Sequence, residues 1–519
     1  MAHVRRDVWK LDSGWNDTLK WYARGVEELQ KRPFTDRTSW CYLAAIHGFD
    51  KSIWISAGYM HATTALPPKA DQALYWDQCQ HSTWYFLPWH RGYVAAFEQI
   101  VRAAIVGLGG PQDWALPYWN YNEGAQSLHL PPCFAEKTLP TGGRNPLYVE
   151  RRYGLSGNGN VVLDPSQIGL AALDDPVFEG PLEGIPPGFG GPATVFNHDG
   201  SGGSGANIEQ TPHNVVHVEV GFKSAKFPHT LGLMTDPDTA ALDPIFWLHH
   251  ANIDRLWEVW LKNNPHHQNP DDPAWYNGPP AGGRVFIVPT TQGTAWQFKV
   301  GDMLNTLSPK LDYRYEDTGV TVAAEPLVKQ RLARLGASKD LLKTFSTKGL
   351  IAPQGGPTEL IGTNDAALDL VGTSIETPVA LDQAGSKKVF TSLKSKSFSA
   401  TLRVPDRVFL KLENIRGKSD AVVLDVYINL PTDADPAQHA DLRAGTLALF
   451  GVRKASLPDG EHGGNGVSQV FEITHIVDAL HLGGVTSAAQ LKVRFVSASP
   501  IPPEDQISVG SVSIYRLGD

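Results

Sequence analysis

Cysteine is scarce: three residues in 519, Cys41, Cys79 and Cys133, cannot build a disulfide framework and suit a reducing compartment. Long apolar runs are missing too, so no segment is expected to cross a bilayer. The start, Met1 to Trp9, carries Arg5-Arg6 with no apolar stretch behind them and does not read as a secretory or twin-arginine leader. The expectation is a cytoplasmic protein. Positive charge is short as well, with 45 Lys and Arg against 54 Asp and Glu, a formal net charge of −9. That balance argues against a nucleic-acid or anionic-membrane partner, both of which need clustered basic residues. No internal repeat or low-complexity tract is present. What the chain has in quantity is aromatic side chains, including 15 Trp and 20 Phe, a supply adequate for wrapping a buried site that takes small neutral ligands.

The length exceeds one ordinary core, so two domains are expected. Helical signals dominate the first half. Residues 17–31 place Leu19, Tyr22, Val26 and Leu29 at helical spacing, and 38–47 do the same with Trp40, Leu43 and His47. A third helix is predicted from near Trp89 to about Val106, ended by glycines, and a fourth holds His213 and His217. A fifth runs from about Pro244 to Leu261 and stops at Asn263-Asn264-Pro265. Between the third and fourth lies a Gly/Pro/Asn-rich stretch, 121–205, whose irregular loops are expected to wall a site. After Tyr315 the character changes. A helical piece (328–345) leads into a Gly/Pro/Thr-rich linker, 346–378, and then into β-branched and alternating runs at 408–412, 422–428, 469–473, 491–495 and 511–515. The expected organisation is a mainly α domain, 1–345, the linker, and a β-sandwich or barrel over 379–519.

Eighteen histidines are scattered along the chain, so a single one says little; spacing and company say more. His213 and His217 stand at i and i+4, able to present two nitrogens to one metal. Cys79-Gln80-His81 precedes Phe86-Leu87-Pro88-Trp89-His90-Arg91. The third cluster is Asp243-Pro244-Ile245-Phe246-Trp247-Leu248-His249-His250, with Asp254 one turn later, placed to orient a ring. Many neutral imidazoles without clustered Cys or carboxylates suit copper, zinc or iron, and all-nitrogen sites favour copper by affinity. A di-iron bundle would need Glu and Glu-x-x-His ligands on four helices, a pattern that none of these three clusters supplies. A mononuclear zinc hydrolase using His213, His217 and Glu209 remains open, but it leaves the earlier clusters without a role.

The strings around His81–Arg91 and Asp243–Asp254 resemble the two copper signatures of the tyrosinase and catechol oxidase (polyphenol oxidase) family, type 3 binuclear copper proteins. The likeness covers roughly residues 1–320 and is looser beyond. It implies a four-helix bundle holding two copper ions, with His47, His81 and His90 on the first and His213, His217 and His250 on the second; His249 would then pack beside them. It implies a thioether between Cys79 and His81, and a water held by Glu209 and Asn214 that takes the proton of a monophenol. Arg5 or Arg6 and Tyr313-Arg314-Tyr315 resemble the family's pair that ties the domain ends. Pro117-Tyr118-Trp119-Asn120 resembles a packing motif usually ending in Asp. Val218 is a candidate wall residue, and the loop 231–239 offers no obvious gate. The C-terminal β part resembles the lid of latent members. The implied activity is hydroxylation of monophenols and oxidation of o-diphenols to o-quinones with O2; the alternatives are a catechol oxidase without the first activity and an oxygen carrier. The implied partners are small phenols and O2, and homo-oligomerisation is left open.

Overall fold

The computed structural model describes the chain apart from residues 1, 12–13, 182–183, 195–203, 280–283, 320–326, 345–356, 395–403, 459–463 and 519. Five helices carry the argument: α1 (Asp17–Lys31), α2 (Trp40–His47), α3 (Phe86–Gly107), α4 (Val215–Gly221) and α5 (Pro244–Asn263). Their starts follow from capping chemistry. Asn16 accepts from the Leu19 amide, Ser39 from Tyr42, and Asp243 from Ile245, with Pro244 in the first turn where its missing N–H costs nothing. The third helix begins at Phe86, earlier than expected, because Pro88 falls within the first turn, where the amide it lacks would have had no helical acceptor.

Helix α1 is amphipathic, burying Leu19, Tyr22, Val26 and Leu29. Helices α3 and α5 are buried on nearly every side, which places them at the centre of the helical part. Phe97 of α3 stacks on Trp247 of α5, ring centroids 3.5 Å apart. The fourth helix departs from the expected regular form. Residues 209–214 form a wide π-type turn in which Thr211 is extended and Pro212 interrupts the ladder, and α4 proper starts only at Val215. His213 therefore lies in the turn and His217 in the helix.

The chain ends of the helical part are tied by a two-stranded parallel pair, His3–Arg5 against Tyr313–Tyr315. Arg5 is fully buried and bonds Glu98, Asp254 and the Tyr315 hydroxyl, whereas Arg6 is exposed and faces Glu316. Asp254 also receives Arg91 and Tyr313. It is committed to this ion network, which corrects the expectation that it orients a histidine ring.

Eight strands form the C-terminal sheet: β1 (Thr358–Asn364), β2 (Gly372–Leu381), β3 (Arg407–Ile415), β4 (Val423–Ile428), β5 (Arg443–Ala448), β6 (Val467–Glu472), β7 (Gln490–Ile501) and β8 (Ser511–Leu517). Their order is β5-β4-β7-β2-β1-β8-β3-β6, antiparallel throughout. The two edges approach each other, Gln469 of β6 donating to the Thr446 carbonyl of β5 at 2.9 Å, so the sheet is a nearly closed barrel. The expected linker 346–378 is corrected here. Its first residues lie outside the described ones, but β1 and most of β2 fall inside it, because their half-buried, threonine-rich pattern pairs with β7 and β8. Leu332 and Leu335, expected with the helical domain, are buried with the barrel core, and Arg331 binds Asp478 and the Pro405 and Asp406 carbonyls. In the other direction Val423, Ala448 and Phe450 join the core of the helical part.

Candidate metal centre

Six elements deliver buried histidines to one place. His47 closes α2, His81 sits in the loop before α3, and His90 stands in the second turn of α3. Their ring centroids lie 5.6 to 5.8 Å apart. His213 comes from the π turn, His217 from α4 and His250 from α5, at 4.5 to 5.4 Å from one another. The two triads adjoin: His90 stacks on His250 at 4.4 Å, and His81 lies 5.8 Å from His213. Each triad brings its ligand atoms close enough to hold one ion, the first together with Cys79 and the second together with His249.

Backbone carbonyls fix the rings. The Nδ1–H of His47 donates to Pro237 O (2.9 Å), that of His90 to Phe86 O (2.8 Å) and that of His217 to Met234 O (2.8 Å). A ring that donates from Nδ1 presents an unprotonated Nε2 to a cation. Burial holds His90, His217 and His250 well below the ordinary imidazole range, and it lowers His213 to about 3. They are therefore neutral, as ligands must be. The Nε2 of His213, the Nδ1 of His250 and both nitrogens of His249 are buried with no hydrogen-bond partner. Orphaned buried nitrogens are costly unless a cation accepts their lone pairs, so the second group fits a metal ion, and the first, with its ligand atoms equally close, fits another. His249 stacks on His213 at 5.3 Å, and its ring nitrogens lie with the ligand atoms of the second group.

Two of the three carbonyls belong to the loop 231–239, where the sequence offered no gate. Gly48 makes its approach feasible, since a Cβ there would come within 2.6 Å of Pro237 O. The Cys79 sulfur lies 2.9 Å from His47 Nε2 and 3.4 Å from His90 Nε2. Against His81 it is 3.5 Å from Nδ1 and 3.4 Å from Nε2, hence on the plane that bisects those nitrogens and contains the Cε1 carbon.

Both Glu209 carboxylate oxygens accept the Ser82 amide, at 2.9 and 3.0 Å, and one reaches Ala206 N at 3.3 Å. Glu209 thus ties the His81 loop to the turn of His213. Burial pushes its carboxyl up to about 8. Asn214 Oδ1 lies 2.9 Å from His213 Nδ1. Glu209 and Asn214 line the same small cavity, about 40 Å3, together with His47, Cys79 and His81. Val218 is fully buried.

Sequence reasoning missed Phe450, which follows β5 at a turn that Gly451 makes with φ +80°. Its ring stacks on His217 at 4.2 Å and meets His81 and His213 edge-on at 5.5 and 5.8 Å. The remaining cavity has room for a few waters, far short of a substrate pocket. Ion pairs hold this contact: Arg453 reaches Asp236 (2.9 Å) and Asp238 (3.2 Å), and Lys454 reaches Asp238 (2.7 Å). No signal in a single sequence marks a phenylalanine between two strands as the cover of a site 200 residues away; only the fold joins them.

Comparisons with known proteins agree with this geometry. The family model described as the common central domain of tyrosinase matches residues 37–167 and 190–263, and a domain of unknown function (DUF7868) matches 357–517. Tyrosinase HcTyr1 of Hahella sp. (strain CCB-MM4) is 32% identical over 99% of both chains. The chloroplastic polyphenol oxidase of Malus domestica is 24% identical over 84% of this chain and 67% of its own. Among solved structures, latent apple tyrosinase superposes with a TM-score of 0.62 at 20% identity, covering 100% of this chain and 98% of that one. Latent aurone synthase gives 0.60 at 17%, covering 100% and 90%. Both share the helical core followed by a C-terminal sheet domain. With a full-length relative at that identity and two histidine triads in contact, the chain belongs to the tyrosinase and polyphenol oxidase family.

Proposed function

We propose that this protein is a copper-dependent oxidoreductase that uses O2 to hydroxylate monophenols and to oxidise o-diphenols to o-quinones, kept latent by its C-terminal barrel. The observation that carries the reading is the contact of two triads of neutral, buried imidazoles, His47, His81, His90 and His213, His217, His250. In this reading each triad holds one copper ion, and the helices that bear them act as a four-helix bundle. The two coppers would supply the binding and reduction of dioxygen. The chain's own residues do the rest. The carbonyls of Phe86, Met234 and Pro237 hold three rings in the tautomer that offers Nε2. The aromatic walls exclude water, keeping the oxidant beside the ring it attacks.

A phenol has a pKa of about 10, so it reaches the metal well only after losing its proton. Glu209 and Asn214, on one cavity wall beside His213, are assigned to hold the water that takes it. Cys79 is assigned a thioether to His81, supported by the placement of its sulfur over the bisecting plane of that ring. Phe450 is assigned as the plug: it fills the space that a substrate ring needs over the second triad. The working division is a helical catalytic unit and a barrel unit from 327 onward, the latter acting as a lid. No described helix is long and apolar enough to cross a membrane.

The test is turnover of tyrosine-like monophenols and of catechols by the copper-loaded full-length protein, before and after the lid is displaced. Quinone formation that rises on displacement supports the reading. Two coppers with reversible O2 binding and no quinone would favour the carrier; zinc in place of copper would end it.

A further inference from the structure

The lid offers the metal pocket more than a ring. Directly after Phe450 and its glycine turn begins a short helix, Val452–Ala455, that carries Arg453 and Lys454. Lys454 lines the same cavity as Phe450, His47 and Cys79. Its ammonium lies 2.7 Å from Asp238 and 3.6 Å from Asp77, both on the catalytic side. Arg453 sits beside it on Asp236 and Asp238, with the lid's own Asp420 at 4.0 Å. Asp236 and Asp238 are buried by these contacts. The neighbouring catalytic-side cations are engaged elsewhere, Arg284 on the Trp76 and Asp77 carbonyls and Arg151 on the Ser56 carbonyl.

The lid therefore presents an aromatic ring over the metals and an ammonium group on a carboxylate at the pocket's rim, and both leave together when it opens. A ligand able to take its place must satisfy the same two surfaces. We infer that Asp238, helped by Asp77 and Asp236, is a specificity-determining residue, and that the preferred substrates are phenols with an ammonium tail, aryl-alkylamines, over phenols with a carboxylate tail. This inference rests on the oxidase reading above and deepens it. A carboxylate tail would meet Asp77, Asp236 and Asp238, while the described catalytic-side cations beside them, Arg284 and Arg151, are already bonded to carbonyls; an ammonium gains the charge-assisted hydrogen bond that Lys454 now makes.

The experiment uses the full-length copper-loaded protein carrying Phe450→Gly, Arg453→Ala and Lys454→Ala, which clears the ring's place and removes both lid cations from Asp236 and Asp238. Lys454→Met serves in its stead if the alanine variant does not fold. The probes are 4-(2-aminoethyl)phenol and 3-(4-hydroxyphenyl)propanoate. Expected is a kcat/KM about tenfold in favour of the amine, the worth of one charge-assisted hydrogen bond, expressed in KM. Adding Asp238→Asn is expected to bring the ratio near one. Equal use of the two probes, or a preference that Asp238→Asn leaves in place, overturns the inference. Calorimetric binding of 2-phenylethylammonium and 3-phenylpropanoate to the same variants reads the seat without turnover. Ammonium-selective binding lost with Asp238→Asn supports it, and binding without charge preference refutes it. Selective binding with no phenol oxidised would count against the oxidase reading alone.

Discussion

Replacing Phe450 by alanine in the full-length protein should convert a latent enzyme into an active one, and the size of the effect follows from the contacts. The ring is buried, stacks face-on against His217 and touches two further imidazoles edge-on. Burying a phenylalanine contributes about 1.5–3 kcal/mol. The lower half of that range applies, because the vacated space lies beside a polar cavity that water can enter. A loss of about 2 kcal/mol in lid closure corresponds to about thirtyfold more open protein. The assay is the initial rate of quinone formation from a catechol at fixed copper content, alongside thermal unfolding. A large rise in rate with a modest fall in melting temperature is expected. Phe409→Ala, which loosens the inter-unit contact formed with Ile185, Val470 and Leu517 away from the histidines, is the control. If Phe450→Ala gains no more than Phe409→Ala, or nothing at all, the ring is not the plug and the latency argument fails.

Other outcomes can be checked directly. His213→Ala or His250→Ala should lower bound copper from two ions to about one per chain by metal analysis, whereas His129→Ala, outside both groups, should keep two. Cys79→Ala should remove the mass loss of about two hydrogens that a thioether to His81 leaves in intact-protein mass spectrometry; an unchanged mass in the copper-loaded parent would refute the cross-link. Arg453→Ala, which removes one of the two lid cations from Asp236 and Asp238, should raise turnover and make it less sensitive to salt than in the parent. Asp175 is half-buried, accepts from the Asn207 side chain, and has its carboxyl pushed up to about 7 by loss of solvent around it. Its contribution to stability is thus fully present below about pH 4 and is lost as pH rises toward 7. Asp175→Asn should flatten the fall in unfolding midpoint between pH 4 and 7, and an identical pH profile in the variant would refute the assignment.

The histidine pattern that the structure gathers into two groups is written locally, and so it was legible. His90 and His250 sit in long apolar segments that can only be buried helices, and His213 with His217 has a spacing that survives even the π turn. Asn16, Ser39 and Asp243 announce helix starts through hydrogen bonds made within three residues. What tertiary structure decided is everything that depends on segments distant in sequence. Asp254 looked like a partner for a histidine one turn away, yet Arg5, 249 residues upstream, claims it, because a buried guanidinium needs buried carboxylates. The strands β1 and β2 hid in a stretch rich in turn formers, since a strand's identity rests on the neighbours it pairs with more than on its own propensity. The ring-orienting carbonyls of Met234 and Pro237, the Phe450 ring over His217 and the Lys454–Asp238 pair carry no motif, because any residue has a carbonyl and any core has a phenylalanine. Their roles arise only when the barrel is set against the histidines, a long-range contact that no window of sequence contains.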